Sequence, residues 1–230
     1  MMEISEQMPV TFVSANTFEA SADQTGIFAA GRNLRVNVGA AATYGTNSSF
    51  TVPGDKTTTL VAGKSLKANC GADGMKTATV ASSSYDGVAD ATTVNTNESV
   101  LTSNLTDVTW METVSVASSS YDGVDTTTVT LNESVLTSHL SKALYGIRLG
   151  SASSAAIQAL AGISMIGEGK RTGTGGYFRY YSNALETGAG TDKERMDGSF
   201  GTSGDMKCVT STIQAGATST LSTLKLSLPA

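Results

Sequence analysis

Residues 80–88 read VASSSYDGV, and residues 116–124 read VASSSYDGV again. The echo continues downstream, where NESVLTS occupies 97–103 and then 132–138. Ser and Thr alternate with Val in both copies, which suits strands with one wetted face. The first copy predicts strands over 80–85 and 92–96, and the second over 116–121 and 127–131. Asp86–Gly87 and Asp122–Gly123 stand between them. Asp-Gly tolerates positive φ angles, so each pair predicts a tight hairpin turn.

A second repeat lies upstream. Phe18, Asp23, Thr25, Ala30, Gly31 and Leu34 recur as Phe50, Asp55, Thr57, Ala62, Gly63 and Leu66, always 32 residues later. The basic Arg32 and Arg35 recur at the same offset as Lys64 and Lys67. This unit predicts three strands separated by turns at 53–55 and 62–63. With the upstream unit called A and the hairpin unit B, the chain order is A, A, B, B. Splicing Thr46 onto Met111 gives one uninterrupted A–B module. The pattern therefore suggests nesting, with 47–110 inserted between 12–46 and 111–149. The turn chemistry of Gly45–Thr46–Asn47 suits an insertion point. Nesting requires contacts between residues 9–46 and 112–149.

Composition narrows the class. Thr (33) and Ser (29) together make 62 of the 230 residues, while Pro occurs three times and charged residues reach only 15%. Disordered chains are charged and poor in β-branched residues, so a folded β protein is expected. The net charge is −5 and the isoelectric point about 4.9, which disfavours binding to nucleic acid. The uncharged stretch 149–167 is rich in Ser, Ala and Gly and makes a poor membrane span. The opening MMEISEQMPV lacks both the basic region and the apolar core of a secretory signal. Cys70 and Cys208 do not make a disulfide framework and read as buried thiols, with a single bridge between them as the alternative.

Past Gly150 the pattern changes. Ile157, Leu160, Ala161 and Ser164 fall near helical spacing, so 151–166 predicts one short helix, weakened by Gly162. A Gly-rich link follows to 176, and strand patterns return at 177–181, 207–213 and 221–228. The expected architecture is all-β. It has an N-terminal docking segment (1–11), duplicated antiparallel β-sandwich or barrel modules (12–149), a helix and linker (150–176) and a C-terminal β domain (177–230).

Catalytic constellations are hard to find in this chain, and no enzyme, metal or cofactor is expected. His139 is the only histidine, and Asn104 takes its place in the other repeat, which suggests an exposed polar site. GISMIGEGKR (162–171) lacks the lysine directly after the second glycine that a phosphate loop needs. Asp192, Glu194, Asp197 and Asp205 share a polar region with Lys193 and Arg195 and read as solvated loop charges. The four aromatic residues Tyr177, Phe178, Tyr180 and Tyr181 form the one cluster suited to a receptor or subunit contact. On a strand, Tyr177 and Tyr181 share one face and Phe178 and Tyr180 the other. Trp110 ends the first B copy where Tyr145 ends the second, and Trp110 reads as a packing anchor.

FTVPGDKTTTLVAGKSL, VASSSYDG and the Leu136, Leu140, Tyr145–Gly146 segment together resemble a module of tailed-bacteriophage virion proteins, found in tail fibres and collar components. The aromatic–Arg–aromatic strand at 177–181, the acidic/Arg loop at 192–195 and the turn at Gly204–Asp205 resemble a β domain that ends such proteins. The resemblance implies a structural virion protein of tail fibre, baseplate or collar. It would be a homotrimer or other homo-oligomer, acting in assembly or host attachment. Capsid decoration or head-fibre duty and glycan or receptor binding are the alternatives.

Overall fold

The computed structural model describes residues 2–145 continuously. Beyond them it describes 156–158, 165–169, 172–181, 195–203, 206–207, 212–214, 216–221 and 225–227. Apart from one 3₁₀ turn at Gly71–Asp73, the secondary structure of these residues is β. The first strands are β1 (Met2–Pro9), β2 (Thr11–Ser14), β3 (Thr17–Ser21), β4 (Asn33–Ala41), β5 (Thr43–Thr46), β6 (Ser49–Pro53) and β7 (Ser65–Asn69). They are followed by β8 (Met75–Asp86), β9 (Ala91–Thr96), β10 (Asp107–Tyr121), β11 (Thr126–Leu131) and β12 (Lys142–Tyr145).

Pairing runs between distant repeats. β3 of the first A copy pairs with β11 of the second B copy, and β6 of the second A copy pairs with β9 of the first B copy. Registers repeat as well. Arg35 lies opposite Thr113 and Phe18 opposite Val129, while the equivalent Lys67 lies opposite Thr77 and Phe50 opposite Val94. The contacts between 9–46 and 112–149 are therefore present.

Each module is two layers. In the outer one, β1, β12, β4 and the middle of β10 form one layer, and the end of β10, β11, β3 and β2 form the other. In the inner one, the end of β4, the start of β10, β7 and the start of β8 face the end of β8, β9, β6 and β5. β8 and β10 change layer at bulges, Val80/Ser82 and Val116/Ser118. A bulge bends a strand and increases its twist, which is what crossing between layers requires.

The modules join through strands. β4 pairs with β10 without interruption from Asn33–Ser115 to Ala41–Asp107. The first half of β4 belongs to the outer module and its second half to the inner one. In the inner module the matching hairpin, β7–β8, closes over the 3₁₀ turn. The repeat equivalence thus changes module within β4, after Asn37, whereas Gly45–Thr46–Asn47 is the bend between β5 and β6. The alternation in β11 buries Thr127, Val129 and Leu131, and the same period buries Leu34, Val36 and Val38 of β4. Phe18, Phe28, Phe50, Leu60 and Leu66 are fully buried in one continuous core. The Phe28 ring meets Phe18 and Tyr145 edge-on, at 5.4 and 6.1 Å. Trp110 and Tyr145 are buried anchors at equivalent positions.

Three expectations change. The middle strand of each A unit is a turn, with Thr59 and Leu60 N–H donating to Lys56 O. Its cause is Asp55, whose Oδ1 accepts from Thr57 N–H and Oγ1–H and curls the chain. The Asp-Gly hairpins are wider than two residues, because four residues separate β8 from β9 and β10 from β11. Asp122 Oδ1 fills the wider turn by accepting from Val124, Asp125 and Thr126 N–H. Where the helix predicted over 151–166 is described, the chain is instead β13 (Ala156–Gln158) and the start of β14 (Met165–Gly169); 151–155 and 159–164 lie outside the described residues. Pairing decided this segment, since β14 supplies the edge partner of Met2–Glu6 in β1. The alanines of this run favour a helix and Gly162 opposes it, so here tertiary pairing overrides local propensity.

β1 is thus flanked by β12 on one edge and β14 on the other, and Glu6 pairs with both. Within the segment expected to dock outward, Met2–Glu6 pair with β14 and Glu6–Pro9 with β12. The remaining strands are β15 (Gly173–Thr174), β16 (Tyr177–Tyr181), β17 (Arg195–Gly201), β18 (Met206–Lys207), β19 (Thr212–Ile213), β20 (Thr218–Leu221) and β21 (Lys225–Ser227). β20 pairs with β14, so this part continues the sheet of the N-terminus. Among the described residues all pairings are antiparallel except β17 with β18.

Candidate functional site

β16 carries the aromatic cluster and pairs along its length with β17, Tyr177 opposite Ser199 and Tyr181 opposite Arg195. Tyr177 is 76% exposed, and Phe178 is half-buried on the other face. The backbone of Tyr180 and Tyr181 continues this strand. Arg195 and Asp197 were expected in a loop and lie on β17, where Asp197 opposes Arg179. Asp192, Lys193, Glu194, Asp205 and Cys208 lie outside the described residues. Cys70 is a buried free thiol.

The polar order of the modules is duplicated. Buried Thr127 Oγ1 accepts from Gln24 N–H (2.9 Å) and donates to Ala22 O (2.7 Å). Buried Thr92 Oγ1 accepts from Lys56 N–H (2.8 Å) and donates to Gly54 O (2.7 Å). Glu133 accepts from Ser115 N–H and Glu98 from Thr79 N–H, again at equivalent positions. Asp23 and Asp55 each accept from the hydroxyl and the N–H of the threonine two residues on, which holds their carboxyls below the usual range. Asp122 is lowered by the turn N–H groups of Val124 and Thr126. Tyr85 donates to Asp90 (2.7 Å), and that bond pushes its phenol up. These bonds account for the aspartates as turn-formers.

His139 is half-buried, unlike the exposed Asn104 at its repeat position. Gly39 makes the room, since a Cβ there would stand 2.8 Å from His139 Cγ and 2.7 Å from Val108 O. The sequence shows the His/Asn exchange but not the close approach of β4, which only the fold creates. Where the modules meet, Glu112 Oε1 accepts from Lys64 Nζ (2.9 Å) and Trp110 Nε1 (2.7 Å). This three-residue bond set was not signalled by any motif, because its members come from different repeats.

Among the described residues, no three His, Cys, Asp or Glu side chains are grouped to hold a metal ion. No helix among them is long and apolar enough to cross a membrane. Comparison with known protein families, curated proteins and solved structures finds no match.

What the described surface offers is shape. Two like hairpins, β8–β9 and β10–β11, end in Val88 and Val124, which are 99% and 79% exposed at equivalent positions. Isolated exposed valines are ordinary. A pair repeated with the module is a feature of the module.

Proposed function

We propose that the chain is a structural component of a tailed-phage virion, serving a tail fibre, baseplate or collar in assembly or host attachment. The observation that carries this reading is the pair of matched β modules joined by two continuous strands, β4 and β10. A joint of two hydrogen-bonded strands resists bending and twisting better than a single linker, which suits a part that transmits force. The resemblance of the A and B segments to virion modules supports the same reading. On this reading the chain works as a homo-oligomer whose neighbours cover strand edges.

A second reading, glycan or receptor contact, is favoured by the exposure of Tyr177 on β16. An exposed ring offers a stacking face to a sugar. Gold-labelled antibody imaging of purified virions tests the primary reading. Label at tail, collar or baseplate is the expected result. Label spread over the capsid would replace it by a decoration or head-fibre role, and absence of label from particles would overturn it. Loss of host-cell binding on Tyr177→Ala, with the fold intact, is what the second reading requires.

A further inference from the structure

We propose that the outer edges of β8 at 82–86 and of β10 at 118–121 are pairing surfaces for a second copy of this chain. The proposal rests on the reading above only where that reading calls for a homo-oligomer. Beyond its bulge, β8 pairs on one side with β9, and β10 pairs on one side with β11. Among the described residues no strand lies on the other side of either run.

The direction of the free groups follows from the ladder. Thr96 N–H donates to Ser48 O, toward β6. Its neighbour Asn95 therefore faces β8, where it opposes Ser82. Alternation turns the backbone groups of Ser82 and Ser84 inward and those of Ser83 and Tyr85 outward. In the outer module Leu131 N–H donates to Asn16 O, and Thr130 opposes Ser118. Ser119 and Tyr121 consequently point outward in the same way.

Past the bulge that opens each run, these edges carry no further guard. Sheet edges are ordinarily blunted by Lys, Pro, inward charges or bulges. VASSSYD holds no Lys, Arg or Pro in either copy. Its serines are short, so a neighbouring backbone can approach. β2 and β5, the edges at the opposite side, are four residues long and each is broken by a bulge. The omission of guards occurs twice, at one place in the module.

Self-complementarity points to a second copy as the occupant. Set antiparallel about a dyad at Ser84, Ser83 meets the second copy's Tyr85 and Tyr85 meets its Ser83. Both outward-facing positions are then paired. Asp86 falls opposite a serine, and the two Asp86 carboxylates are four residues apart along the strands, roughly 13 Å. That exceeds the screening length of about 8 Å at physiological salt. A parallel arrangement would bring the like charges side by side. The same register serves Ser119 and Tyr121 about Ser120, or one edge of each kind. Each chain thus offers two equivalent edges.

Sedimentation velocity of the full chain over a wide concentration range tests this. The intact chain should associate reversibly. Ser83→Pro with Ser119→Pro removes outward donors and leaves the inward ladder intact. Ser84→Lys with Ser120→Lys sets like charges across the dyad. Either pair should weaken association by about tenfold or more, with circular dichroism and Trp110 fluorescence unchanged. Hydrogen exchange on the unaltered chain needs no variant. The amides of Ser83, Tyr85, Ser119 and Tyr121 should gain protection as concentration rises. A monomer at every concentration overturns the proposal. Association that the folded variants retain also overturns it and moves the interface elsewhere, leaving the virion reading to the imaging experiment. Protection that appears only when other virion proteins are added would assign the edges to a different partner and overturn it too.

Discussion

Removing one hydroxyl from the core tests whether the two modules are energetically as well as geometrically alike. Thr127 and Thr92 are fully buried, and each Oγ1 ties both ends of an A-unit turn, one bond accepted and one donated. Thr→Val keeps the shape and deletes both bonds. A typical intramolecular hydrogen bond contributes about 1 kcal/mol net, and an unsatisfied buried partner costs more. The turn groups are only partly buried, so water recovers some of the loss. The added methyl returns up to about 0.8 kcal/mol. The expected cost is about 1–2 kcal/mol at either site, or roughly 3–6 °C in Tm for a chain of this size. Urea unfolding followed by Trp110 fluorescence and by far-UV circular dichroism gives both numbers. Trp110 is the only tryptophan and sits where the modules meet, so its signal reports the joint. Equal costs at the two sites are expected. A cost below about 0.3 kcal/mol at both, or at one site alone, would refute the argument that these hydroxyls hold the turns.

Other positions offer sharper contrasts. Gly39→Ala should cost about 1–3 kcal/mol, because its Cβ would strike Val108 O and His139; calorimetry of the variant reads this directly. Ala22 sits at φ 62 where the other module has Gly54 at φ 71. Gly54→Ala should therefore destabilise by about 1 kcal/mol, while Ala22→Gly should be neutral or stabilising, since relief of left-handed strain offsets the entropy of glycine. Thermal melts of the two variants compare the signs. The lowered carboxyls of Asp23, Asp55, Asp73 and Asp122 contribute stability that is complete above their unfolded value of 3.8 and lost as pH falls through their lower folded values. Melting temperature should thus hold near neutrality and fall below about pH 4, and a flat acid profile would count against these bonds.

The architecture was legible wherever local pattern and pairing agreed. The VASSSYDG and NESVLTS repeats announced two hairpins, and β9 and β11 begin within one residue of their expected starts. The A, A, B, B order, with the uninterrupted module left by splicing Thr46 onto Met111, pointed to nested pairing. Failures came where side chains redirect the backbone. Asp55 bends a Thr-rich run that reads as a strand, and Asp122 widens a turn that reads as tight. At 156–158 and 165–169, distant partners β21 and β1 decided the outcome, and no local window contains them. Of the aromatic cluster, the alternation from exposed Tyr177 to half-buried Phe178 was readable from strand period alone. The edges of β8 and β10 were not, since an edge is defined by the absence of a neighbour rather than by any residue.

The place of insertion decides how the two modules are joined. A module added at a surface loop hangs on two separate linkers, and its orientation is then free to vary. Here the hairpin turn itself is replaced, and its two strands run on as the first strands of the added module. β4 and β10 stay paired through nine consecutive residue pairs across the junction. Orientation is fixed by the ladder and by Glu112, which binds Lys64 and Trp110 at the seam. The inner module closes the equivalent hairpin with the short turn at Gly71–Asp73, where Gly71 (φ 53) and Gly74 (φ 76) adopt left-handed conformations. β1 and β12 repeat the scheme at the other end, because they pair as the end of β4 pairs with the start of β10, and β1 then continues along β14. Hairpin replacement thus joins the two modules along one continuous β ladder.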